Sequence, residues 1–103
     1  MSAFRVAIWM SAFLALSCAR GGVQQCQSLT RASALGMAKE AKAGMLRRST
    51  DAYARNFASD EPAFVKVGVE TNGYAANVGF EGRDGTTLVA LIEFDCYIGW
   101  TEL

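Results

Sequence analysis

The sequence predicts an α+β domain in which one N-terminal helix packs on one face of a three-stranded antiparallel meander. Three observations carry that expectation. Residues 24–59 form a proline-free segment rich in helix formers, apolar side chains alternate at a period of two after residue 63, and two turns are legible at Asn72-Gly73 and Arg83-Asp84-Gly85. With 103 residues, 51% of them hydrophobic, and a single proline, the chain has the length of one small domain and the composition of an ordered one.

The helical segment, Gln24 to Ser59, is dominated by Ala, Lys, Arg, Met and Leu. Leu46, Tyr53 and Phe57 recur at spacings of seven and four. Ala34, Ala38, Ala41, Met45 and Ala52 lie beside that stripe, while Arg47, Arg48 and Arg55 lie away from it. The pattern is an amphipathic helix with a small-residue flank suited to close approach on a sheet. Asp60-Glu61-Pro62 ends it, because the residue before proline resists the α conformation. A straight helix of this length spans about 50 Å, against about 33 Å for ten paired strand residues. The sequence therefore predicts a break near Gly36 or Gly44, or an irregular start before Leu29.

In the first strand, Ala63 to Glu70, the residues Val65, Val67 and Val69 share one face. Asn72-Gly73 is the strongest short signal for a two-residue hairpin turn. That turn pairs Thr71 with Tyr74, Val69 with Ala76, Val67 with Val78 and Val65 with Phe80. The second turn fits a three-residue loop with Gly85 in the left-handed position. It pairs Phe80 with Leu88, Val78 with Ala90, Ala76 with Ile92 and Tyr74 with Phe94. Cys96, Ile98 and Trp100 continue the core-facing parity of the third strand. Past the end of the second strand, Ile98 and Trp100 either cover the first turns of the helix or leave an unpaired edge.

The N-terminus reads as an address. Arg5 supplies a positive charge, and Val6 to Leu16 is an uncharged apolar run of eleven residues followed by small residues, the pattern of a secretory signal peptide over residues 1–19. The run is shorter than the ~20 apolar residues that cross a bilayer. Cleavage fits before Cys18 or before Arg20, leaving a single mature domain to residue 103. Leu14-Ala15-Leu16-Ser17-Cys18 also resembles the bacterial lipobox, in which the cysteine after the cut receives lipid; it departs from that pattern at Ala15, where leucine is usual. Plain export and lipidation at Cys18 are both carried forward.

Cys26 and Cys96 remain in the mature chain, and two cysteines in an exported small domain predict one disulfide. Both reach one end of the molecule and the core side of the sheet if the helix ends where the first strand begins. The chain holds no histidine, and two isolated cysteines make no zinc site, so no metal and no cofactor is expected.

Formal charge is zero but unevenly spread. Residues 20–55 carry seven basic side chains against two acidic, and residues 56–103 carry two basic against eight acidic. Either the halves attract each other within the fold, or a basic surface meets an anionic partner. On the outer face of the sheet the expected register brings Glu70, Glu93 and Asp95 together, an acidic cluster suited to a hard cation or to acid/base work. The ordinary reading is a solvated sheet face. Val89, Leu91 and Tyr97 beside it offer a shallow apolar patch.

No catalytic residue is expected, since there is no histidine to serve as base and no glycine loop that cradles phosphate. Aromatic and basic residues are not interleaved, which argues against nucleic acid. The sequence thus points to an exported, non-catalytic binding module of the bacterial envelope or extracellular space. Its surfaces are Arg47, Arg48 and Arg55, or Val89, Leu91 and Tyr97. Its partner is another protein or an envelope component, its membrane contact comes only through a lipid at Cys18, and self-association stays open. Two alternatives remain: a small enzyme or ligand binder using the acidic cluster, and a lipid-anchored structural component.

Overall fold

The computed structural model describes residues 26–103. The segment read as a signal peptide, and Cys18 with it, lie outside the described residues. The architecture is α+β: a helical layer on one face of an antiparallel sheet.

Helix α1 spans Arg31–Arg47 and helix α2 spans Asp51–Asn56. The Thr30 side chain accepts a hydrogen bond from the Ser33 N–H at 3.0 Å and caps α1, so the start before the helix is irregular, as expected. The expected break near Gly36 or Gly44 does not occur, because α1 runs through both. The break falls at Arg48–Thr50, where short polar side chains satisfy the groups that a continued helix would otherwise bond. Ser49 Oγ donates to Met45 O at 2.9 Å, and Thr50 Oγ1 accepts from the Tyr53 N–H at 3.2 Å to cap α2. Leu46, Tyr53 and Phe57 consequently do not share one helix. The face of α1 turned to the sheet is Ala34, Ala38 and Lys42, four residues apart, and Ala52 is exposed. Gly36 is exposed with no atom within 4 Å of where a Cβ would sit. Gly36→Ala should therefore raise stability by about 0.5–1 kcal/mol, seen as a higher urea midpoint at unchanged slope.

The sheet has four strands in the order β1-β2-β3-β4, with β1 Pro62–Val67, β2 Ala76–Glu81, β3 Thr87–Ile92 and β4 Ile98–Glu102. The β2–β3 register is the expected one, Phe80 with Leu88, Val78 with Ala90 and Ala76 with Ile92, and Gly85 takes φ +91 in the connecting loop. That loop is held by Asp84, whose carboxylate accepts from the Thr86 hydroxyl at 2.7 Å and from Asn56 Nδ2 at 3.1 Å.

The β1–β2 register is offset by two residues from expectation. Val67 faces Ala76 and Val65 faces Val78, so each valine keeps its side of the sheet. The cause is the segment after Val67. Gly68 turns at φ +84 and the chain enters a 3₁₀ turn over Gly68–Thr71, where the buried Thr71 hydroxyl donates to Gly68 O at 2.8 Å. Asn72 (φ 54) and Gly73 (φ 91) both adopt the left-handed conformation their identities suggest, but they close that turn instead of a two-residue hairpin.

The third expected strand is two strands. It stops at Ile92, and the chain reverses so that β4 returns antiparallel, pairing Ala90 with Trp100 and Ile92 with Ile98. In the reversal the Cys96 N–H donates to Glu93 O at 2.9 Å, the Glu93 N–H to Tyr97 O at 2.8 Å, and the Tyr97 N–H to Asp95 Oδ1 at 3.0 Å. Cys96 stands at φ 74. Tyr74 and Phe94 therefore lie in connections and do not pair, and Phe94 is 38% exposed.

Ala34, Ala38, Val65, Ala76, Val78, Phe80, Ala90 and Ile92 form the core between α1 and the sheet. Cys26 and Cys96 are joined by a disulfide with Cα atoms 5.3 Å apart, and the Cys26 N–H donates to Phe94 O at 2.9 Å. The chain entering α1 is thereby fastened to the β3–β4 reversal.

Candidate functional site

The most consequential polar residue is Lys42, which sequence reasoning passed over. It follows Ala34 and Ala38 at four-residue spacing and so occupies the buried stripe, at 2% exposure. Its ammonium donates to Phe57 O at 2.8 Å and to Ser59 O at 2.5 Å, pairs with Asp60 Oδ1 at 3.0 Å, and lies 4.5 Å from the centroid of the Phe80 ring. Phe57 caps the C-terminus of α2, where carbonyls lack helical partners and a cation is favoured. All three N–H groups are engaged. Lys42 is a clamp between α1 and the α2–β1 connection and has nothing left for a substrate. The sequence signal was its phase: lysine four residues after Ala38 falls on the sheet side.

Lys42–Asp60 is the single ion pair among the described residues. The attraction between the basic and acidic halves is thus realised in one bridge. Arg47 and Arg48 are exposed at the C-terminus of α1, and Arg55 is exposed on α2. The Arg47 and Arg48 guanidinium groups both approach Gly44, lying 3.6 and 3.9 Å from where its Cβ would stand. Arg47 and Arg48 thus stand together at the end of α1, Arg55 lies beyond the helix break on α2, and no carboxylate among the described residues pairs with any of them.

The outer sheet face is less open than the alternation suggested. Phe64, Gly79, Val89 and Thr101 occupy one cross-strand row. The Phe64 ring lies where a side chain at position 79 would be, so any larger residue there would have to displace the ring. Lys66 Nζ sits 5.2 Å from the Phe64 centroid. Val89 is buried at 4% exposure, which removes it from the expected apolar patch and leaves half-buried Leu91 and Tyr97, 64% exposed.

The acidic row does not form as expected. Glu70 belongs to the 3₁₀ turn, and Glu93 and Asp95 belong to the β3–β4 reversal, so no cross-strand row contains them. Among the described residues no group of three His, Cys, Asp or Glu side chains is placed to hold a metal ion.

A groove between the helices and β4 holds the other notable pair. Tyr53 donates its hydroxyl to Glu102 Oε2 at 2.6 Å. Burial first, then the hydrogen bond and charge of Glu102, push the phenol from 10.0 up to about 12. The unfolded phenol ionises near 10. The stability this contributes is therefore full below about pH 10 and is lost as pH rises toward about 12. Ultraviolet titration of tyrosinate should show a late ionisation that disappears in Tyr53→Phe and moves down in Glu102→Gln.

No known family model, curated protein or solved structure matches this chain.

Proposed function

We propose that this chain is an exported, non-catalytic module that binds another macromolecule of the envelope or extracellular space through the exposed arginines of its helical layer. One observation carries the reading: Arg47, Arg48 and Arg55 stand exposed without carboxylate partners in a chain holding ten acidic residues. Unpaired exposed cations cost little in water, and they supply attraction toward an anionic partner. The Cys26–Cys96 disulfide is consistent with an oxidising compartment. Among the described residues no helix is long and apolar enough to cross a membrane.

The test is in-cell cross-linking of the full chain and of a variant combining R47E, R48E and R55E, with cross-linked species identified by mass spectrometry. The reading expects a discrete partner that is lost in the variant while the melting transition is unchanged. Equal cross-links from both proteins would overturn it. The same spectra report the mature N-terminus, and a free Cys18 or Arg20 start excludes a lipid anchor.

A further inference from the structure

The two edges of the sheet are built differently. Edge strand β1 is guarded: it opens with Pro62, its register shifts between Pro62 and Phe64, it carries Lys66, and the Arg31 guanidinium donates to Val65 O. Each of these is a device that stops another strand from pairing. Edge strand β4, Ile98–Glu102, carries none of them. Thr87 and Leu103 exchange both backbone hydrogen bonds, and the Glu93 N–H bonds Tyr97 O. By antiparallel alternation, residues 97, 99, 101 and 103 spend their backbone groups on β3. The N–H and C=O groups of Ile98, Trp100 and Glu102 therefore point outward along an edge that no other strand among the described residues pairs.

The side chains of those same three residues face the helical layer, and a groove runs beside them. It consists of two successive cavities of about 310 and 250 Å³ between β4 and the helices. Met37, Ala41 and Met45 form the helical wall, and Ile98 and Trp100 form the floor. Both charged side chains that line it are glutamates, Glu40 at the Ile98 end and Glu102 at the other. Methionine walls adapt to varied apolar side chains.

We infer that β4 and its groove accept an extended peptide segment of a partner protein, added as a fifth strand, with apolar residues at alternate positions and lysine or arginine at both ends. Backbone groups of Ile98, Trp100 and Glu102 supply affinity, the groove takes alternate apolar side chains, and Glu40 and Glu102 select basic flanks. A second copy fits less well. Two-fold pairing of β4 with itself sets the Ile98 end against the Glu102 end, and so brings glutamate toward glutamate. Arg47, Arg48 and Arg55 do not line this groove, so this surface and the proposed arginine surface can each fail without the other.

The probe is the end-blocked heptapeptide Lys-Thr-Val-Thr-Val-Thr-Lys, whose valines and terminal lysines share one face, titrated into the full chain with its disulfide intact and followed by amide NMR. The expected result is shifts and slowed hydrogen exchange at Ile98, Trp100 and Glu102, with R47E/R48E/R55E binding unchanged. The same peptide with glutamate in place of both lysines should bind at least tenfold more weakly, and E40Q/E102Q should lose much of that preference while keeping the native spectrum. Three results would overturn the inference: no β4 shifts at millimolar peptide, equal binding of the acidic peptide, or a free protein that is already dimeric with those amides protected.

Discussion

Replacing Lys42 with methionine should lower the stability of the fold by about 2–4 kcal/mol, although the substitution keeps the apolar stem of the side chain and removes only its terminal ammonium position. The loss is a loss of donors. Phe57 O and Ser59 O are bonded by the Lys42 ammonium, which is 2% exposed, and methionine leaves both carbonyls without that partner. Each such carbonyl costs about 1–3 kcal/mol where water does not replace the donor. The attraction to the Phe80 face is lost as well. The visible salt bridge is the minor part, because Asp60 is 63% exposed. Asp60→Asn should therefore cost under about 1 kcal/mol. Urea unfolding of the two variants separates these contributions. Equal losses would mean that the ion pair, and not carbonyl capping, holds α1 to the α2–β1 connection.

The second large effect concerns the disulfide. Replacing Cys26 and Cys96 together with serine should remove about 4 kcal/mol, since the bridge spans 70 residues of sequence and restricts the unfolded chain accordingly. For a domain of this size that is comparable with the whole net stability. Position 96 adds a subtler expectation. Its φ of 74 is left-handed, which a side chain disfavours by about 1 kcal/mol and glycine does not. In a Cys26→Ala background, Cys96→Gly should unfold at a higher urea concentration than Cys96→Ala, by about 1 kcal/mol. The opposite order would show that the reversal relaxes once the bridge is gone.

The same residue explains where the sequence misled. Nothing about a cysteine between Asp95 and Tyr97 announces positive φ, so the alternation from Leu88 to Trp100 reads as one continuous strand. Parity is preserved across the reversal, and Ile98 and Trp100 reach the core side from a fourth strand. The β2–β3 hairpin was legible because pattern and turn chemistry agree at Gly85. At Asn72-Gly73 the conformations were legible but the register was not. Gly68 and the Thr71 hydroxyl offer a local 3₁₀ alternative that takes residues 68–70 out of the strand and shifts the register by two. The glycines of α1 drew attention as weak points, whereas Ser49-Thr50-Asp51, an ordinary cap sequence, ends the helix. The exposed arginines were readable from helical phase, and the buried lysine was readable by the same rule. The β4 groove was not, because it depends on a strand hidden inside another.

Fastening Cys26 to the β3–β4 reversal also gives the molecule a direction. Whatever precedes Cys26 joins at the N-terminal end of α1, while Arg47 and Arg48 stand at its far end, about 25 Å along a helix of 17 residues. The two ends of α1 are thus unlike: one is bound covalently to the sheet, and the other carries two exposed cations.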